Sequence, residues 1–323
     1  MNNNSQNPKW SIAYLGTFHP AVPTLEGLAK RGWINFLVMP NEGDPKNDEL
    51  LRISKDYELD YSYSIKGLGD RDIDLVIAAN YSKLVPASLL EKIPCLNTHW
   101  SPLPAYRGVH GTAWGLINGD NEFAVSFHWM EREFDTGDMI AQKSISISSE
   151  ENISDLHVKL AELQAELVLE ILDTYDRVED FPRLAQDHSL ATYVPQRRPE
   201  DGIINWEWTT ERIWNLTRAL PAPKYPGAFT TLKDEKLIIW KSSPSGSPAY
   251  YSTPGQVVRV IKGRGVWVKT GDDCLLVEDV QLGDGAPCPA DTILKRGDKL
   301  GYNVQTELFH LRLRLSELDS GKN

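Results

Sequence analysis

Residues Trp10–Pro40, WSIAYLGTFHPAVPTLEGLAKRGWINFLVMP, decide the fold class. WSIAYLG (Trp10–Gly16) and WINFLVMP (Trp33–Pro40) are short apolar runs bounded by turn residues, and Val22–Arg31 between them has helical spacing. A strand, a helix and a second strand in that order predict parallel pairing, with the helix laid across the sheet. The pattern continues with helical Asn47–Tyr57 and the apolar run DLVIAAN, Asp74–Asn80. Cys95–His99 reads as another strand, Gly111–Asn118 as a short helix, and Phe123–Met130 and Met139–Ser148 as two further strands. The expected fold is α/β, a Rossmann-like, mostly parallel sheet with helices on both faces. The turn GTFHPAVPTL lacks G-x-G-x-x-G spacing, so no dinucleotide cradle is expected there.

Ser154 is expected to cap a long amphipathic helix running to about Arg177, since Leu156, Leu160, Leu163, Leu167 and Ile171 keep a three-to-four spacing. Val178–Asp201 has separated prolines, mixed charge and no sustained period, as a surface linker would. Thr210–Leu220 then reads as a helix, and Ala228–Trp240, Gly255–Ile261, Gly265–Thr270 and Cys274–Leu282 as short strands, which suggests a small OB-like β-barrel. The predicted organisation is a catalytic domain over 10–189, a barrel domain over 190–305 and a tail over 306–323. In the tail, Leu311–Leu315 alternates apolar and charged residues, which fits an edge strand or a helix at a subunit contact equally well.

The 323 residues carry 34 Lys+Arg against 45 Asp+Glu, a net −11, with ordinary apolar and charged content. That excludes a mainly disordered, collagen-like or coiled-coil chain. The acidity is concentrated: Met1–Ser189 has 16 basic and 29 acidic residues, a net −13, and Leu190–Asn323 has 18 and 16. Cys95, Cys274 and Cys288 have no metal-ligand spacing and are odd in number, which points to a reducing compartment and no metal. The start MNNNSQNPKW has no charged and apolar leader pattern, and no run approaches a membrane span, so a soluble cytoplasmic protein is expected.

The densest group of chemistry-bearing residues is CLNTHWSPLPAYRGVHGTAWGLING, Cys95–Gly119. On a strand, Asn97 and His99 project to the same face near the carboxyl end, where open α/β sheets bind ligands. An amide N–H beside an imidazole suits acyl transfer, the first donating to a developing oxyanion and the second accepting a proton from the attacking group. Asp135, on the loop FDTGDMI (Phe134–Ile140), is the candidate to orient the histidine. His19, His128, His157, His188 and His310 show no partner pattern and default to core or solvent positions.

Asn97-Thr98-His99, Ser101-Pro102-Leu103-Pro104, Tyr106-Arg107-Gly108 and Asp135-Thr136-Gly137-Asp138 together resemble the signature of the formyltransferases that use 10-formyltetrahydrofolate. The resemblance runs from about Trp10 to Leu300, and RRPEDGIINW, YPGAF and KLIIWK resemble the barrel domain of methionyl-tRNA formyltransferases and of the formylating half of the aminoarabinose-pathway enzyme. It implies a catalytic trio of Asn97, His99 and Asp135, with 10-formyltetrahydrofolate as co-substrate and no metal. It further implies Lys83, Leu84, Val85 and Asp138 at the folate, and Ser101, Tyr106, Arg107 and Gly108 at the acceptor. Pro102 and Gly111 depart from the family's usual Leu and Pro, which puts acceptor identity in question. WGLINGD (Trp114–Asp120) and Ser126–Gln142 resemble enzymes that formylate nucleotide-linked amino sugars, and the −13 of the first part disfavours a nucleic acid. A dTDP- or UDP-amino sugar is the expected acceptor, with Arg107 at its diphosphate. Methionyl-tRNA is the alternative, and a non-catalytic folate or nucleotide binder the second alternative. A homodimer without membrane partners is expected.

Overall fold

The structure, a computed structural model, describes residues 8–221, 226–302 and 304–320. The polar start up to Asn7 and Tyr225 of the YPGAF run lie outside them. The chain divides into two compact units, residues 1–115 with 120–196 and residues 116–119 with 197–323.

The first unit is built on β1 (Ile12–Gly16), β2 (Ile34–Val38), β3 (Tyr61–Ser62), β4 (Leu75–Ala79) and β5 (Cys95–His99). These five are parallel in the order β3-β2-β1-β4-β5. Every residue of β1 and β4 is buried, because helices and loops cover both faces of a parallel sheet. The order reverses direction between β1 and β4, the switch point at which such sheets open a crevice. A short strand, β6 (Arg107–Gly108), is followed by β7 (Glu122–Trp129) and β8 (Met139–Ser146), which extend the sheet antiparallel beyond β5.

Helices α1 (Val22–Lys30), α2 (Asp48–Asp56), α3 (Ala87–Leu90), α4 (Gly111–Asn118) and α5 (Ile153–Thr174) fill the connections. Period-two alternation sends the two sets of β5 side chains to different surroundings. Thr98 bonds the Gln164 amide oxygen of α5 at 2.9 Å, and the same buried Gln164 donates to Thr24 at 2.9 Å and to the Pro20 carbonyl at 3.2 Å. One amide thus ties α5, the start of α1 and β5 together. On the opposite face Cys95 joins a buried cluster with Val76, Ala78 and Leu89 of α3, and Asn97 and His99 continue that face.

Three local expectations change. Asn152, not Ser154, caps α5: its side chain accepts from the Ser154 and Asp155 amides, and Asp155 bonds back to the Asn152 amide. The helix ends at Thr174, before Arg177. Most of the expected linker, residues 178–196, is part of the first unit: β9 (Tyr193–Val194) pairs with β6, Leu184 bridges Met139, and Phe181 and Gln186 are buried. The periodicity was lost to the eye because this segment is tied down by single bridges and side chains instead of a regular element.

The second unit is antiparallel. Its strands are β10 (Ala228–Leu232), β11 (Glu235–Pro244), β12 (Val257–Ile261), β13 (Gly265–Lys269), β14 (Cys274–Leu282) and β15 (Cys288–Pro289), ordered β10-β11-β14-β13-β12 with β15 on β14. Lys233, in the left-handed region at φ 56°, turns the chain between β10 and β11, so the single strand expected over Ala228–Trp240 is a hairpin. Bridges from Leu300 to Leu232 and from Lys299 to Gln256 join the two edges of the sheet, the closure a small barrel needs. Helix α6 (Thr210–Arg218), capped by the Thr209 side chain, packs on β11, and α7 (Ala290–Ile293) follows β15. The tail forms a helix, α8 (Val304–Ser320), resolving the two readings left open by its alternation. Among the described residues no helix is long and apolar enough to cross a membrane.

The α5 cap gives a direct check. Asn152→Ala removes an acceptor for two terminal amides and should lower stability by about 1 kcal/mol in urea denaturation, with activity per folded molecule unchanged.

Candidate active site

Opposite Asn97 in the antiparallel ladder stands His128 of β7. Directly facing residues project to the same side of a sheet, so the two side chains meet: Asn97 Nδ2 lies 3.1 Å from His128 Nε2. His128 Nδ1 is 2.8 Å from the Trp129 carbonyl oxygen. A carbonyl can only accept, so Nδ1 carries the proton and Nε2 accepts from the Asn97 amide. His128 is only 2% exposed, and burial pushes its pKa down to about 4, against the opposing pull of Asp135. Sequence reading left this histidine at a default position. The signal for it was the register of two predicted strands, which residue spacing does not supply.

Asp135 arrives from the loop between β7 and β8, with its backbone in the left-handed region at φ 59°. Gly137 beside it is required by close approach, since a Cβ there would stand 2.0 Å from the Trp129 carbonyl oxygen. The Asp135 carboxylate accepts the Gly108 amide at 2.9 Å through Oδ2. Its Oδ1 lies 3.6 Å from His99 Nδ1 and 3.7 Å from His128 Nε2. His99 Nε2 donates to the Tyr106 carbonyl oxygen at 2.9 Å, so in the neutral ring the lone pair is on Nδ1. Two imidazoles therefore turn unprotonated nitrogens toward one carboxylate oxygen. The arrangement has a place for an incoming proton, and burial disfavours His128 as the ring that receives it.

The structure brings Asn97, His99 and Asp135 together, and it gives other expected residues supporting places. Arg107, expected at an acceptor diphosphate, is 1% exposed, and its guanidinium donates to Gln186 Oε1 at 2.7 Å and Tyr193 Oη at 3.0 Å and meets His188 Nδ1 at 3.0 Å. These contacts, one to the buried Gln186 and two to the more exposed Tyr193 and His188, give the buried guanidinium a bracing place in the fold. Gln186 in turn donates to the Asp135 and Gly137 carbonyls at 2.9 and 2.7 Å, so the segment expected to be a linker holds the Asp135 loop. Ser101, also expected at the acceptor, has a buried hydroxyl that donates to the Ala105 carbonyl at 2.8 Å. Tyr106 contributes its backbone carbonyl to His99, and Gly108 its amide to Asp135; a Cβ on Gly108, at φ 106°, would lie 2.4 Å from the Val194 carbonyl oxygen.

Of the residues expected at the folate, Lys83 and Leu84 are exposed and Val85 is buried in the core cluster. The Asp138 carboxylate faces Arg183 at 4.0 Å. A cavity of about 490 Å³ lies one turn further on, between Ala87, Leu90 and Glu91 on one side and Met130, Glu133 and Thr136 on the other. Among the described residues no cluster of His, Cys, Asp and Glu has the arrangement of a metal site.

The formyl transferase family matches residues 39–172, and its C-terminal domain matches residues 197–297. A methionyl-tRNA formyltransferase of Citrifermentans bemidjiense is 31% identical over 313 residues, covering 91% of this chain and 94% of that protein. The chain belongs to the formyl transferase family. It is an enzyme of folate-dependent formyl transfer, with 10-formyltetrahydrofolate as the donor. Among solved structures, WlaRD, a sugar 3N-formyl transferase crystallised with dTDP and 5-N-formyl-THF, superposes with a TM-score of 0.66 at 18% identity, over 86% of this chain and 99% of that one. HypX from Aquifex aeolicus superposes with a TM-score of 0.61 at 20% identity over 88% of this chain, which spans about half the length of HypX.

Two outcomes follow from the geometry. Between the ordinary histidine pKa near 6.5 and the folded value near 4, the unfolded chain binds a proton at position 128 that the folded chain does not, so stability falls on acidification through that window and is unaffected above it. Wild type should lose about 2–3 kcal/mol more than His128→Gln between pH 7 and pH 4.5 in denaturant titrations, and equal losses would contradict the buried neutral ring. Arg107→Gln should lower stability by about 2 kcal/mol or more while moving acceptor KM no more than donor KM, because it breaks a buried network and not a substrate contact.

Proposed function

We propose that this formyltransferase moves a formyl group from 10-formyltetrahydrofolate to the amine of a nucleotide-linked amino deoxysugar. The observation that carries the acceptor class is charge. A tRNA acceptor calls for a basic face to displace counterions, and Met1–Ser189 sums to −13, with the Arg107 guanidinium buried. A sugar nucleotide presents only a diphosphate. WlaRD, matched along nearly its whole length, supports the reading through its sugar acceptor class.

The cavity beside Thr136 suits the donor. Ala87, Leu90 and Met130 supply apolar walls for a flat bicyclic ring, Glu91 and Glu133 supply polar edges, and Thr136 adjoins Asp135. When bound, 10-formyltetrahydrofolate supplies the formyl carbon that the acceptor nitrogen takes up as tetrahydrofolate leaves. Asn97 Nδ2 keeps one hydrogen for His128 and directs the other toward the formyl oxygen, where negative charge grows during attack. His99 takes the amine proton on Nδ1, the resulting imidazolium is held between the Asp135 carboxylate and the Tyr106 carbonyl, and the proton passes to the folate nitrogen as its bond to the formyl carbon breaks.

Methionyl-tRNA formylation is the second reading, favoured by the 31% identity to a methionyl-tRNA formyltransferase along 94% of its length. The two are separated by incubating the protein and donor with a panel of dTDP- and UDP-amino sugars and, in parallel, with methionylated initiator tRNA. A mass gain of one formyl on a sugar nucleotide is expected. Formylation confined to the tRNA, weakening steeply with salt, would reverse the assignment. On whichever acceptor turns over, His99→Ala should lower kcat by about 10² or more while leaving donor binding near normal.

A further inference from the structure

We infer that His128 is a positioning residue for catalysis: its ring nitrogen fixes which way the Asn97 amide faces. The inference rests on the proposed role of Asn97 at the formyl oxygen and adds to it the group that enforces that role. An asparagine side chain has nearly equal-sized oxygen and nitrogen ends, so packing alone does not decide between its two orientations. Only the orientation with nitrogen inward and a hydrogen outward places a donor where the oxyanion grows; the flipped one places an acceptor there, and repels it.

Four observations carry this. The Asn97 and His128 backbones are registered directly opposite each other, so neither side chain can avoid the other. The Trp129 carbonyl, 2.8 Å from Nδ1, forces the proton onto that nitrogen and leaves Nε2 as an acceptor. Asn97 Nδ2 stands 3.1 Å from that acceptor. Finally, the ring is only 2% exposed, and its burial outweighs the pull of the Asp135 carboxylate oxygen 3.7 Å from Nε2, so that nitrogen keeps its lone pair. The chain of constraint runs from a main-chain carbonyl, through an imidazole that cannot rotate or protonate freely, to an amide.

His128 also limits where the reaction's proton goes. It and His99 face the same carboxylate oxygen at nearly equal distance, but His128 is shut away and committed through both nitrogens. His99 has one nitrogen left for the proton. The site uses two histidines for two jobs, and the geometry keeps them from exchanging.

The test combines kinetics with an observable that needs no acceptor. Selective ¹⁵N labelling of histidine should show His128 with Nδ1 protonated and Nε2 unprotonated at pH 7; the reverse tautomer would overturn the inference whatever the enzyme turns over. His128→Met removes the acceptor and should lower kcat about 10- to 100-fold, with the Kd for 5-formyltetrahydrofolate within about twofold, as expected when a transition-state donor is misaligned. His128→Gln, whose Oε1 can accept from Asn97, should recover most of that loss. In an Asn97→Ala background the His128→Met penalty should disappear, because the residue it acts through is gone. Equal loss in the Met and Gln variants, or a full Met penalty in the Asn97→Ala background, would show that His128 merely supports the fold. A wild type inactive on every acceptor would instead fault the proposed function, and the labelling result would still decide the ring's state.

Discussion

One carboxylate oxygen facing two imidazole nitrogens organises this enzyme. Asp135 Oδ1 lies within 3.7 Å of both His99 and His128, and neither ring in its neutral form offers it a proton, since each spends its N–H on a backbone carbonyl. Such a cluster holds only if something else fixes the anion. The Gly108 amide does so directly, and Gln186 does so through the backbone on either side of the carboxylate. The scaffold places donors around the anion in advance, which spares the reaction the reorganisation that water would require.

The supports are costly in isolation and stable only together. Asp135, Tyr106 and His110 all adopt left-handed backbone conformations that non-glycine residues enter reluctantly, and Arg107 is buried with one of its nitrogens unbonded. None of these would persist in a loop left to itself. They are held by β6 pairing with β9, by Gln186 and by the sheet behind them. The segment after α5 thus belongs energetically to the Asp135 loop, even though it is far from it along the chain.

The two faces of β5 divide the labour. Thr98 faces the helical side, where Gln164 satisfies it and the α1 entry at once, and that side carries packing. Asn97 and His99 face the other side, beyond the cluster around Cys95, and meet His128 and Asp135 there. Strand alternation made this division readable from N-x-H alone, and β5 and α4 keep the limits read from their residues. What alternation cannot supply is the partner across the ladder. His128 sits in an ordinary buried strand, FAVSFHW, in which a histidine is indistinguishable from a packed core residue until the register is known.

The strand and helix order, the antiparallel second unit and the choice of Asn97, His99 and Asp135 as residues to look for were legible in the chain, because they rest on periodicity and on motif spacing that are local or nearly so. Only the folded chain shows that Arg107 is bonded to Gln186, that Gln186 holds the Asp135 loop, and that His128 meets Asn97. Each depends on a contact between residues 31 to 81 positions apart, and the one between Asn97 and His128 is made or missed by a shift of one residue in strand pairing. Burial and hydrogen-bond direction are properties of such contacts, and no residue carries them until the chain has folded.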